Sequence, residues 1–143
     1  MDYILDTQIV IWALTDSNKL SKSVLKILTD NENILFASQI GLFEISIKQK
    51  IGKLPLFTAD TNSFYDQLIT DGFGFLQIKN EYIAAYENIP LHDDHRDPFD
   101  RLLLATAFAE NIPVISADEK FLLYKTLYNY FLMINAFNPF INL

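Results

Sequence analysis

The stretch Ile34-Leu35-Phe36-Ala37, followed by Ser38 and then by Gln39-Ile40-Gly41-Leu42-Phe43-Glu44-Ile45-Ser46-Ile47-Lys48, decides the fold. Four apolar residues in a row read as a short strand buried on both faces. Ser38 is a favoured helix cap, and the apolar stripe Ile40, Phe43, Ile47 and Ile51 predicts a helix that Gly52-Lys53-Leu54-Pro55 stops. A strand that feeds straight into a helix is half of a βαβ unit, and the same pattern recurs on either side of it.

Toward the amino end, Tyr3-Ile4-Leu5 is an apolar run ending in Asp6, and Ile9 to Leu14 reads as a buried helical turn. Leu20, Val24, Leu25 and Leu28 recur at helical spacing up to the polar turn Asp30-Asn31-Glu32-Asn33. Toward the carboxyl end, Asp60 or Thr61 opens a helix with Phe64, Leu68 and Ile69 inward and Gly72 beyond its end. Phe75-Leu76-Gln77-Ile78 is a third strand, a short helix runs from about Glu81 to Tyr86, and a polar loop spans Pro90 to Arg96. Asp97-Pro98 is a strong helix start, and Leu102, Ala105 and Ala109 point inward until Asn111. Pro113-Val114-Ile115-Ser116 is the fourth strand, Asp118 follows it, Phe121 to Leu127 is predicted helical, and Tyr130 to Ile134 is predicted as a last edge strand. Short apolar strands alternating with helices give an α/β fold with a mostly parallel sheet covered on both faces. No repeat, low-complexity tract or linker divides the chain, so residues 1–143 read as one domain.

Half of the residues are apolar and 14% are aromatic, which is enough for a core without staples. There is no cysteine, so disulfides, thiolate metal sites and cysteine nucleophiles are excluded together. The start Met1-Asp2-Tyr3-Ile4-Leu5-Asp6 lacks a basic leader, and no apolar run approaches the roughly 18 residues that cross a bilayer. The expectation is a cytoplasmic protein that does not touch a membrane. Eleven Lys and Arg against eighteen Asp and Glu give a charge of −7. That is the wrong sign for holding nucleic acid by phosphate neutralisation alone, so a polyanionic ligand requires a metal or a local basic patch.

In open parallel sheets, ligands bind outside the carboxyl ends of the strands. Asp6 ends the first strand and Asp118 follows the fourth, while Asp97 and Asp100 fall in the first turn of the helix before it. Glu44 lies about two turns into the helix capped by Ser38, within reach of the same edge. Each acid also has an ordinary reading. Asp97 is a helix cap, Asp100 suits the positive end of a helix dipole, Glu44 pairs with Lys48 at i,i+4, and Asp118 opens the next helix. Asp6 is the most telling, because a carboxylate straight after a buried strand loses hydration without a cation to compensate. Gathered at one point, four carboxylates demand a cation, and hard oxygen donors favour Mg²⁺ or Mn²⁺ over zinc. Such a site suits phosphodiester hydrolysis. His92 and His95 precede Asp97 and read as surface loop residues. Lys48, Lys50, Lys53, Arg96 and Arg101 are the cations that could supply local positive potential.

Tyr3-Ile4-Leu5-Asp6-Thr7 with Trp12, Ser38 through Glu44 and Lys48 to Gly52-Lys53-Leu54, His95-Arg96-Asp97-Pro98-Phe99-Asp100-Arg101-Leu102-Leu103-Leu104-Ala105, and Ser116-Ala117-Asp118 with Phe121 and Tyr124 resemble, in order, the PIN domain. The group they most resemble is the VapC-like ribonuclease toxins of bacterial toxin–antitoxin modules. The resemblance implies a three-layer fold with a short central sheet of four to five mostly parallel strands flanked by helices. It maps the catalytic and metal-holding positions onto Asp6, Glu44, Asp100 and Asp118, with Thr7, Asp97 and Ser116 beside them. It implies an endoribonuclease dependent on Mg²⁺ or Mn²⁺, homodimers, and a small antitoxin that blocks the site. Lys48, Lys53, Arg96 and Arg101 become the RNA-binding candidates. Phe43 stands where the family usually has Trp, Gly41 where Ser is common, and the loop Leu91-His92-Asp93-Asp94-His95 is longer than usual; none of these removes an acid.

Two other classes compete. A Mg²⁺-binding receiver module needs an acceptor acid after a middle strand and a late Lys, where this chain has Ser38 and Asp118. A catalytically silent PIN domain would be signalled by a lost acid, and none is lost; a housekeeping RNA-processing PIN domain keeps the acids, and a short basic DNA-binding protein encoded immediately upstream would favour the toxin over it.

Overall fold

The computed structural model describes residues 1–54 and 60–124. Strand β1 (Asp2–Leu5) leads into helix α1 (Thr7–Thr15), then a 3-10 turn at Ser17–Lys19 and helix α2 (Lys22–Thr29). Strand β2 (Ile34–Ser38) runs without a break into α3 (Gln39–Lys50), followed by α4 (Thr61–Thr70) and β3 (Gly74–Leu76). Helix α5 (Asn80–Ala85) continues as a 3-10 turn at Tyr86–Asn88, α6 covers Pro98–Glu110, β4 is Val114–Ile115, and Glu119–Tyr124 is a final 3-10 segment. Serine and aspartate caps start the helices where the sequence predicts. Ser38 Oγ accepts from Gly41 N–H at 3.0 Å, Asp60 from Ser63 N–H at 2.8 Å, and Asp97 from Phe99 N–H at 2.8 Å. At the far end of α6, Asn111 takes the left-handed conformation that closes a helix (φ 55°).

The four strands are parallel in the order β3-β2-β1-β4. Tyr3 and Leu5 face one core with Ile9, Val24, Ile45 and Phe64, while Ile4 faces another with Ile40, Leu104, Val114 and Phe121. This alternation, buried on both sides, is why the strands read as continuous apolar runs. The chain builds β2 and β3 outward from β1 on one side and then crosses to place β4 on the other. The order therefore reverses at β1, and the crevice that such a reversal opens lies at the carboxyl ends of β1 and β4.

Several orientations differ from the expectation. In α3 the buried face is Ile40, Gly41 and Ile45, while Phe43, Ile47 and Ile51 are exposed. The inward stripe is shifted by about one residue because Glu44 and Lys48 are turned toward the crevice, and the outer apolar residues go to solvent as a result. Phe43 meets Phe99 edge-on at 5.6 Å. Ile69 and Ala109 also face outward, each near the end of its helix where the sheet no longer covers it. The predicted helix Phe121–Leu127 is a 3-10 turn as far as Tyr124; its remainder and the predicted edge strand Tyr130 to Ile134 lie outside the described residues.

Candidate active site

At the carboxyl end of β1, Asp6 caps α1: Oδ1 accepts the Thr7 N–H at 2.8 Å. Its other oxygen accepts from Ser116 Oγ at 2.8 Å, which ties β1 to the end of β4. Ser116 Oγ in turn accepts the Asp118 N–H at 3.0 Å, so one serine fixes two acidic positions. Thr7 Oγ1 donates to Glu44 Oε1 at 2.9 Å and draws the α3 acid toward the end of β1. The first turn of α6 adds Asp97, the cap, and Asp100. Asp6, Thr7, Glu44, Lys48, Asp97, Asp100 and Asp118 all wall one open cleft of about 420 Å³, with Gln8, Trp12 and Ala117.

Among the described residues, five carboxylates therefore face one ammonium in this cleft. Burial pushes Asp6 above the usual carboxylate range, against the Ser116 and Thr7 hydrogen bonds that favour its charge; Asp118 adds repulsion and Lys48 relieves some of it. Burial likewise raises Glu44 to about 7, with Asp6, Asp100 and Asp97 adding repulsion. Asp100 rises to about 8, again mainly by burial and then through Asp6, Asp97 and Asp118. Acids that resist ionisation next to one another are what a site for an external cation looks like before the cation arrives. The donor set consists of carboxylate and hydroxyl oxygens at hydrogen-bonded, preset positions, so it fits a hard divalent ion.

The sequence-derived candidates divide clearly. The cleft unites Asp6, Glu44, Asp100 and Asp118, together with Thr7, Asp97 and Lys48, while Ser116 supports it from behind. Asp97 is both the helix cap and part of the cleft wall. Lys53 and Arg96 are exposed and outside that wall, and Arg96 Nε donates to the Asp93 carbonyl at 3.2 Å. Arg101 is buried and outside that wall as well. It is 8% exposed, and its guanidinium donates to the carbonyls of His92 and His95.

His95 departs furthest from its expected surface position. It is 1% exposed, its Nε2 lies 2.8 Å from Asp100 Oδ2, and its Nδ1 lies 2.7 Å from the Tyr124 hydroxyl. Burial lowers its tendency to protonate. Ligand atoms of His95, Asp100 and Asp118 all lie within 4.8 Å of one another. In sequence His95 stands only two residues before the Asp97 cap and five before Asp100, and no local motif marks the contact. Trp12 and Gln8 were also missed as cleft residues.

The PIN domain family pattern matches residues 3–126. A comparison with curated proteins gives no match. Among solved structures, the chain is similar to VapBC2 from Rickettsia felis bound to a promoter DNA fragment, at 18% identity over 95% of this chain and 99% of that one, TM-score 0.65. It is also similar to VapBC-1 from nontypeable Haemophilus influenzae (20% identity, 88% and 93% covered, TM-score 0.55). A third similar structure is FitAcB from Neisseria gonorrhoeae (19% identity, 81% and 87% covered, TM-score 0.56). At these identities the likeness is one of fold. The family pattern, matched over residues 3–126, carries the stronger conclusion: the chain belongs to the PIN domain family.

Proposed function

We propose that this chain is an endoribonuclease dependent on Mg²⁺ or Mn²⁺, a single PIN domain over residues 1–143, acting in the cytoplasm as the toxin of a toxin–antitoxin pair. The observation that carries the reading is the meeting of Asp6, Glu44, Asp100 and Asp118 in one cleft at the topological switch point. Membership of a nuclease family supports it. Among the described residues no helix is long and apolar enough to cross a membrane.

Asp6, Asp100, Asp118 and Glu44 would hold the ion. Bound there, a divalent cation supplies Lewis-acid stabilisation of the phosphoryl group and a lowered pKa for water. Thr7 keeps Glu44 turned inward, Ser116 fixes Asp6, and Lys48 offers the cleft wall a positive charge for the phosphate backbone. Structures of VapBC assemblies with this fold support a small cognate antitoxin as partner, and the homodimer is proposed on the same family ground.

Analysis of product ends tests the chemistry. Attack by water leaves a 5′-phosphate and a 3′-hydroxyl, whereas attack by the RNA's own 2′-hydroxyl leaves a cyclic phosphate. Cyclic ends would overturn the hydrolytic reading. Growth arrest on induction, relieved by the product of the adjacent gene and absent for Asp100→Asn, tests the toxin reading; a harmless active enzyme would return it to RNA processing.

A further inference from the structure

Resting on the metal-site reading above, we propose that His95 is a positioning residue for Asp100, with Tyr124 setting its tautomer and Arg101 holding its backbone. Asp100 lies on the first turn of α6 among Asp6, Asp97 and Asp118, all of which wall the cleft with it. A carboxylate turns easily about its last torsion. Repulsion from these neighbours favours turning it out of the cleft, and a donor on its other side opposes this.

His95 is that donor. With a cation in the cleft Asp100 is ionised and accepts only, so His95 Nε2 then carries the proton across the 2.8 Å contact with Oδ2. His95 Nδ1 is then the acceptor, and the Tyr124 hydroxyl donates to it at 2.7 Å. This assignment satisfies all three groups at once, and it is the arrangement by which outer groups orient ligands of a metal.

The imidazole is fixed from every side. Tyr124 and Phe121 pack on it at ring-centroid distances of 5.4 and 5.9 Å. The His95 backbone N–H donates to the His92 carbonyl at 3.0 Å, and the buried Arg101, one residue after Asp100, donates to the carbonyls of both His92 and His95. The His95 loop and the Asp100 turn are thus locked together from α6 itself. The competing assignment is that Nε2 ligates the ion directly, since it lies within 4.8 Å of ligand atoms of Asp100 and Asp118. We favour positioning because both ring nitrogens already have hydrogen-bond partners.

The test is Mn²⁺ binding by calorimetry to the full chain and to His95→Leu, His95→Gln, Tyr124→Phe and Asp100→Asn, with folding checked by circular dichroism and melting. Loss of an outer partner weakens metal affinity about 10–100-fold, which is expected for His95→Leu. His95→Gln, whose amide still donates, should recover most of that loss, and Tyr124→Phe should show a smaller weakening. Saturating Mn²⁺ should restore RNA cleavage by His95→Leu, which a damaged fold would not allow. Wild-type affinity in a folded His95→Leu, or His95→Gln as weak as His95→Leu, overturns the proposal. So does imidazole nitrogen coupling in the electron spin-echo spectrum of the Mn²⁺-loaded wild type. If His95→Leu does not fold, unchanged Mn²⁺ affinity in Tyr124→Phe overturns it instead. Undiminished affinity in Asp100→Asn would remove the metal-site reading itself, whereas weakened Asp100→Asn with unaffected His95→Leu removes only this proposal.

Discussion

Ser116 Oγ donates to Asp6 Oδ2 at 2.8 Å across 110 residues of sequence, joining the ends of the two strands between which the sheet reverses its order. Asp6 is also a helix cap, so the most buried acid of the cleft is held by two donors and still pushed toward its neutral form by burial. Two hydrogen bonds set its position, and burial works against its charge.

Asp6→Asn separates these two properties. The amide oxygen keeps the cap on α1, and the Ser116 hydroxyl can turn to accept from the amide nitrogen. Removing one charge from a crowded cluster relieves repulsion. Without metal, the variant should melt at or above the wild-type temperature, while cleavage falls at least about 100-fold, the scale on which one preorganised electrostatic contact acts. A large drop in melting temperature in EDTA would make Asp6 a structural residue.

Stability should depend on pH in a direction opposite to that of most acidic proteins. Glu44 and Asp100 have folded values near 7 and 8, and Asp6 is raised as well, so the folded state holds protons that the unfolded chain has released. The stabilisation from these groups is complete below the unfolded carboxylate range and is lost as pH rises through 7 to 8. His95, lowered by burial, acts oppositely but only as pH falls below its ordinary value of 6.5. Melting temperature in EDTA should therefore fall from pH 6.5 to 8.5, and excess Mn²⁺ should flatten or reverse the trend, because metal binding displaces the same protons. A metal-free melting temperature that rises over this interval would contradict the cluster's electrostatics.

Arg101 and Lys48 should behave as different kinds of cation. Arg101→Leu takes its donor from the His95 carbonyl, at about 1–3 kcal/mol for the group left unsatisfied, while the His92 carbonyl keeps the His95 backbone N–H. Its melting temperature should drop by roughly 3–10 °C. Lys48→Ala should melt close to wild type and bind RNA more weakly, with a shallower dependence on salt. Equal stability of the two variants would return Arg101 to the surface.

A basic inhibitor is the natural complement of this cleft. A guanidinium pairs bidentately with carboxylates, and an arginine from the antitoxin entering among Asp6, Glu44, Asp100 and Asp118 would occupy the place of the ion. Asp100→Asn should then weaken both cleavage and antitoxin affinity, the latter with a reduced salt dependence measured by titration calorimetry. Unchanged affinity would move the inhibitory contact elsewhere, for example to the Lys48–Lys53 end of α3.

The strand–helix alternation and every acid of the cleft were legible in the sequence, because caps, short apolar runs and strand-end carboxylates are local signals. Helix facing was less so. Phe43 and Ile47 follow helical periodicity yet lie outside, since the crevice claims Glu44 and Lys48 and rotates α3 by about one residue. The burial of Arg101 and His95 is not legible in the sequence, for a shared reason. A charged or titratable residue is buried when partners distant in sequence satisfy it, and Tyr124 lies 29 residues from His95. Nothing in the local spacing announces that contact.

Cleavage of an unstructured RNA by the purified protein, with Mg²⁺ or Mn²⁺ and then with EDTA, tests the central claim most directly. Four carboxylates that need a cation predict cleavage with either metal, none after chelation, recovery when metal is restored, and poorer cleavage of a fully paired RNA. Cleavage that survives chelation would contradict the account.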